Sequence, residues 1–415
     1  MATFKTISDG NIQTTRNVLN QLVDFVAEDI SGSLTSNNTR KKYQVFVTGG
    51  FGGTGVTSSL FHTVHDQNFA LQTSNELFDL TVGLFDSSGI VTGSSSGVDT
   101  NGKRLFGKET LMMREKVGIY QQFAQLLLGD ASTPFTAPFS PNVTTLNQSQ
   151  IDAALFVPYK RLFTRDGIKR ETYAMRFFRS ASMHGEDDKT VKVKGNIDDG
   201  NVSGSVIFTD VGSGASIETS PAGGSVGNIV NSANTAETVG LMFYDYGVAV
   251  YDLEKIVSAS QFMSGAIDAV GTGARGPTGL AIADGKAALA GKFSPDFLVS
   301  ASIDNIIDHI ASTRFGSGSE TFMTFQNNTM INSTLYFCRA TADEFNFSSN
   351  PTFTDTEGRL TVIDTGQENL QKTFSFVTTV GLYNANEELL AVAKLSRPVM
   401  KNDEKDLTFR VRLDF

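Results

Sequence analysis

The chain has 415 residues and a formal net charge of −10, with charged residues at 19%, 39 Gly, 32 Phe and no Trp. The acidic balance excludes the basic face that a nucleic-acid backbone requires, and a single cysteine excludes an internal disulfide framework and a Cys-built zinc site. No run approaches the roughly 18 apolar residues of a membrane-spanning helix, and Met1–Lys5 lacks the apolar segment of a secretory leader, so a soluble chain made in the cytoplasm is expected.

Helical spacing of Ile12, Leu19, Leu22, Val23, Val26 and Ile30 predicts an amphipathic helix over 8–31, capped by Ser8 or Asp9 and stopped by Gly32. A strand is expected over 43–48 and a buried one over 75–85, followed by a Gly/Ser-rich flexible loop over 86–102. Met112, Met113, Val117, Tyr120, Phe123, Ala124 and Leu127 mark a second helix over 109–128, which Gly129 should end. After a Pro/Ser/Thr/Asn-rich linker at 131–147, strands return at 153–163 and 171–179. Residues 184–240 read as a small β insertion or long exposed hairpins, with short alternating pieces at 190–193 and 206–208. Core strands are expected in 239–251, then a Gly/Ala-rich excursion over 264–292 and a helix from Ser294-Pro295 to about Ser312. In the last hundred residues, 335–338 is a strand, and 374–383 and 388–395 flank a turn at Asn384–Glu387. Leu407, Phe409, Val411, Leu413 and Phe415 then alternate with Thr408, Arg410, Arg412 and Asp414, the pattern of a half-buried strand.

The expected fold is therefore α+β and β-dominated: antiparallel sheets in a sandwich-like core, with a few helices and long inserted loops. In chain order the segments are a helical arm (1–35), a first part of the core (36–183) and the insertion (184–240). Core strands (241–263), the Gly/Ala-rich excursion (264–292) and a C-terminal helix with β core (293–415) follow.

Several patterns raise the question of chemistry. Thr48-Gly49-Gly50-Phe51-Gly52-Gly53-Thr54-Gly55 fits both a dinucleotide fingerprint and the glycine pattern of short-chain dehydrogenases. Tyr251-x-x-x-Lys255 and Asp79 could supply that family's proton donor and ribose-binding acid, but the Tyr lies some 200 residues past the glycines and ends an apolar run. Val56 stands where a P-loop needs its lysine. His62 and His65 could share a helical face, yet no third metal ligand stands out. Asp187-Asp188 and Asp198-Asp199 read as solvated loop carboxylates, and Cys338 as a buried strand thiol. No Gly-x-Ser-x-Gly elbow is present. Accordingly no catalytic, cofactor-binding or metal-binding residue is assigned, and the chain reads as a non-enzyme without cofactor. A nucleotide-cofactor enzyme using Thr48–Gly55 is the alternative.

Several stretches together resemble a family of structural virion proteins of T4-like tailed phages. They are Ile7–Arg16, Leu60–Asp66, Asn75–Leu84, Ile119–Gln125 and Glu344–Pro351, with Thr378–Asn384, Leu390–Ser396 and Arg410–Phe415 the most telling. The resemblance covers about two thirds of the chain and thins across 184–240 and 264–292. It implies a contractile-tail or baseplate component; a capsid, neck or decoration protein is the alternative. Its implied partners are other virion subunits and copies of itself, with no nucleic acid, membrane or small-molecule substrate.

Overall fold

A computed structural model describes residues 4–26, 40–47, 56–66, 71–86, 97–98, 104–105, 107, 109–139, 149–179, 205–215, 217–257, 262–263, 291–315, 321–348 and 350–414. The expectations for 48–55, 187–188, 190–193, 198–199 and almost all of 264–292 lie outside these residues. The fold is β-dominated, with a large antiparallel sheet and few helices. The chain divides into two units, Asn20–Thr329 and a smaller one made from Met1–Leu19 and Met330–Phe415.

The main strands are β1 (Ile12–Val26), β2 (Arg40–Val47), β3 (Val56–His65), β4 (Glu76–Leu84), β5 (Ala153–Pro158), β6 (Ala174–Phe178) and β7 (Ser205–Thr209). They continue as β8 (Ser225–Asn231), β9 (Asn234–Phe243), β10 (Val248–Asp252), β11 (Thr321–Ala340), β12 (Phe374–Tyr383), β13 (Leu389–Asn402) and β14 (Leu407–Asp414). In the larger unit the sheet runs β11–β6–β7–β8–β9–β10–β5–β4–β3–β2, with β1 beyond β11. Two central strands, β5 and β10, read Ala-Ala-Leu-Phe-Val and Val-Ala-Val-Tyr, and both are buried along their length. A continuous apolar run is what a strand covered on both faces needs.

The helix α1 (Leu111–Leu128) packs on this sheet through Met113, Lys116, Tyr120, Phe123 and Leu127, one stripe at helical spacing. Gly129 ends it in the left-handed conformation (φ +83°), as expected. Where helix meets sheet, Phe123 stacks on Phe156 at 4.1 Å with the rings 5° apart, and Tyr120 and Phe135 meet Phe156 edge-on. Gly83 in β4 permits the close approach, since a Cβ there would lie 2.8 Å from the Tyr120 amide nitrogen.

Three expectations need correction. Residues 12–26 form strand β1, not a helix. Ile12, Thr14, Thr15, Val18, Val23 and Val26 are β-branched, which favours a strand. Val23 and Phe25 alternate into the core, where Phe25 meets Phe78, Phe163 and Phe325. That aromatic packing outweighs a helical spacing of the same apolar residues. Residues 205–240 are no insertion: β7, β8 and β9 lie in the middle of the sheet. Finally, the helix expected over 294–312 is broken. After a one-turn helix α2 (Leu253–Ile256), a π-type turn (Phe293–Phe297) leads into α3 (Leu298–Ser300), and α4 (Ile303–Thr313) starts afresh after Ala301, which is extended (φ −87°, ψ 153°). Ser302 caps α4 by accepting from the Asn305 amide, and Lys116 of α1 donates to the Leu298 and Val299 carbonyls at 2.7 and 3.0 Å. Those carbonyls would otherwise have bonded the next helical turn.

In the smaller unit, β14 pairs antiparallel with the second half of β11, from Ser333 opposite Asp414 to Ala340 opposite Leu407. Its alternation follows the sequence, with Val411 buried and Arg410 and Arg412 outward. Strands β12 and β13 form a separate two-stranded ribbon. Its turn is held by Asn384, whose Oδ1 accepts from the Asn386 and Glu388 amides.

Candidate functional site

The glycine run separates two antiparallel strands, with Val47 of β2 opposite Val56 of β3. A pyrophosphate cradle needs the run to open a helix, whose N-terminal amides converge on the anion. Here the residues that follow are strand. The other two dehydrogenase elements are engaged by partners of their own. The Tyr251 hydroxyl is buried in a chain of phenols, bonded to Tyr173, which is bonded to Tyr159 at 2.7 Å; Tyr159 also donates to the Met323 sulfur. Burial raises the Tyr251 and Tyr159 pKa values well above the ordinary phenol value. Lys255 instead donates to the Thr238 carbonyl and the Ser149 hydroxyl. Asp79 is held by Lys160 at 2.9 Å and by the Thr63 hydroxyl.

His62 and His65 lie on strand β3, not on a helix, and both are buried. His62 Nε2 meets Asp304 of α4 at 2.6 Å, which ties the helix to the sheet. Among the described residues, no group of three His, Cys, Asp or Glu side chains could hold a metal. Cys338 is only half-buried on β11, opposite Phe409, and partial burial raises its thiol pKa. No helix among the described residues is long and apolar enough to cross a membrane.

The buried charges that sequence reading missed serve packing. Lys116 sits within the apolar stripe of α1 and was legible only as a break in it; burial lowers its pKa to about 7. Asp210 accepts from the Glu171 and Tyr173 amides and from the Tyr244 hydroxyl, fixing the loop before β6; burial raises its pKa. Arg314 ends α4, contacts His309 at 3.0 Å and donates to the Phe178 carbonyl. Each ties separate elements of the larger unit together. An open depression of about 270 Å³ lined by Asp86, Glu109, Arg114, Val117, Gly118 and Gln121 lacks the apolar walls of a ligand pocket.

The unusual surface is on the smaller unit. A domain of about 100 residues ordinarily buries well over half of the surface its unfolded chain exposes. Among its described residues, the buried apolar side chains here are Leu335, Ala340, Phe353, Leu382 and Val411, and none is less than 5% exposed. Phe376, Leu389, Leu390, Val392 and Met400 on the ribbon are exposed, as are Val18, Leu19 and Leu370. Contiguous apolar patches, not apolar residues exposed singly, are what interaction surfaces present. The sequence signal was the string of apolar residues on both sides of Asn384–Glu387, which alternation alone cannot assign to a covered face. No family model, curated protein or solved structure matches the chain.

Proposed function

We propose that this protein is a non-enzymatic structural subunit of a tailed-phage virion, acting in the contractile tail or baseplate through contacts with its own copies and with other virion subunits. The observation that carries the reading is the lean interior of the smaller unit beside its exposed apolar ribbon. Such a unit gains its apolar burial from neighbouring chains, as obligate assembly interfaces do. The placement in a phage particle rests on the resemblance of the stretches from Ile7–Arg16 to Arg410–Phe415.

The test is fractionation of a native phage lysate, with quantitative mass spectrometry of the virion band and of separated tails. Stoichiometric recovery in tails is expected, at a multiple of three or six copies per particle. Recovery only as free protein overturns the reading; recovery in tail-less heads moves the subunit to the capsid.

A further inference from the structure

Strand β1 is the last strand on its side of the large sheet: β11 lies along one edge of it, and no strand among the described residues lies along the other. Every residue from Ile12 to Leu22 is exposed, and Asp24 is exposed between the buried Val23 and Phe25. Ile12, Val18, Leu19 and Leu22 are the large apolar side chains displayed in this way. Edge strands are ordinarily guarded by lysines, prolines, bulges or a covering loop, because a bare row of amides and carbonyls is a template for another strand. β1 has no lysine and no proline, and Arg16 and Asp24 are its only charges.

The backbone decides which residues a second strand would meet. The Gln21 amide donates to Asn327 Oδ1 of β11 at 3.2 Å, so it points inward. Successive residues turn their amides and carbonyls to opposite edges of a strand, so the even-numbered residues around Gln21 direct theirs to the open edge. An antiparallel copy of β1 hydrogen-bonds there by matching even residues with even ones. Centring the pair on Arg16 or on Asp24 sets like charges against each other, which destabilises a sheet. Asn20 lies midway between them, four residues from each. Centring on Asn20 sets Arg16 opposite Asp24 at both ends, with Val18 opposite Leu22 between them, also twice. Opposite charges and apolar side chains facing each other across the ladder are the pairs that stabilise it. Among the described residues, neither Arg16 nor Asp24 forms an ion pair of its own.

We propose that β1 joins two copies of this chain edge to edge, the two β1 strands pairing antiparallel about a two-fold axis between their Asn20 residues. The contact is isologous: each copy gives Arg16 to the other's Asp24 and Val18 to the other's Leu22. The inference rests on the reading of the chain as an assembly subunit and adds the surface, the partner and the symmetry.

The experiment is native mass spectrometry and sedimentation equilibrium of the purified chain at roughly 10 μM, where dimers are expected. Arg16→Asp and Asp24→Arg each place like charges at both ends of the ladder and should each weaken the dimer at least about tenfold. Thermal unfolding of the monomer should stay unchanged, because both side chains are exposed. An equimolar mixture of the two variants, or the double variant alone, sets opposite charges against each other again and should restore dimers. Val18→Pro removes one outward amide from the open edge and should also weaken the dimer. Wild-type monomers, dimers indifferent to both charge reversals, or a mixture that fails to form heterodimers overturn the proposal. The virion fractionation fails independently: a dimeric protein missing from virions overturns only the proposed function, and a virion protein that is monomeric when purified overturns only the β1 pairing.

Discussion

Lys116 shows how one side chain can decide where a helix stops. Its ammonium group takes the carbonyls of Leu298 and Val299, and α3 ends there. The arrangement has a pH signature. The folded pKa is lowered to about 7 from 10.5, so between these values the unfolded chain binds more protons than the folded one. Stability should therefore rise as pH increases from 7, by at most about 1.4 kcal/mol per pH unit, while well below 7 this group's destabilising effect is constant and gives no pH slope. Urea midpoints of the wild type and Lys116→Met between pH 6 and 9 check this; equal pH slopes in both proteins would remove the argument. Gly83 is the complementary case, a side chain that has to be missing. Gly83→Ala should destabilise by about 1–3 kcal/mol through overpacking against the Tyr120 backbone, read as a lower urea midpoint with unchanged m.

At the level of elements, α1, β4, β5, β10 and β14 were legible because their apolar pattern and their burial coincide. The Phe156 side chain in β5 shows what this coincidence contributes: four aromatic rings meet at one point between helix and sheet. Phe156→Ala should cost about 3–5 kcal/mol, measured by denaturant unfolding, whereas the exposed Phe376→Ala in β12 should cost well under 1 kcal/mol. β1 was misread because its apolar residues satisfy a helical spacing as well as an alternating one. The choice is made by Phe25, whose partners Phe78, Phe163 and Phe325 are far away in sequence. For β7–β9 the obstacle was composition: Gly, Ser, Asn and Thr around short apolar pieces resemble loop, yet Gly227 and Gly240 are glycines at close strand contacts. The buried sites for Lys116 and Arg314 were not legible, since a carbonyl that a lysine will find is set by tertiary structure alone. The glycine run was visible in the sequence, but the strand after it, which removes the helix terminus, was not.

Among the described residues, apolar burial is concentrated in Asn20–Thr329 and apolar exposure in the smaller unit. An association driven by that exposed surface should persist at high ionic strength. Raising NaCl from 0.1 to 1 M should shorten the Debye length from about 10 to 3 Å and screen Glu387, Glu388, Lys394 and Arg397. Sedimentation should then show a loss of affinity smaller than tenfold; dissociation to monomers at 1 M salt would mean that charge, not apolar contact, holds the copies together. The smaller unit also has a history written into its chain order. Phe4, Lys5 and Arg16 contact Tyr383, Glu344 and Met330, residues synthesised more than 300 positions later. At ribosomal speeds of about 5–20 residues per second, the early segment waits tens of seconds for its partners while the larger unit is being made. The ribbon follows the larger unit in the chain, so under the proposed assembly role its exposed apolar residues reach solvent only after most of that unit has been made.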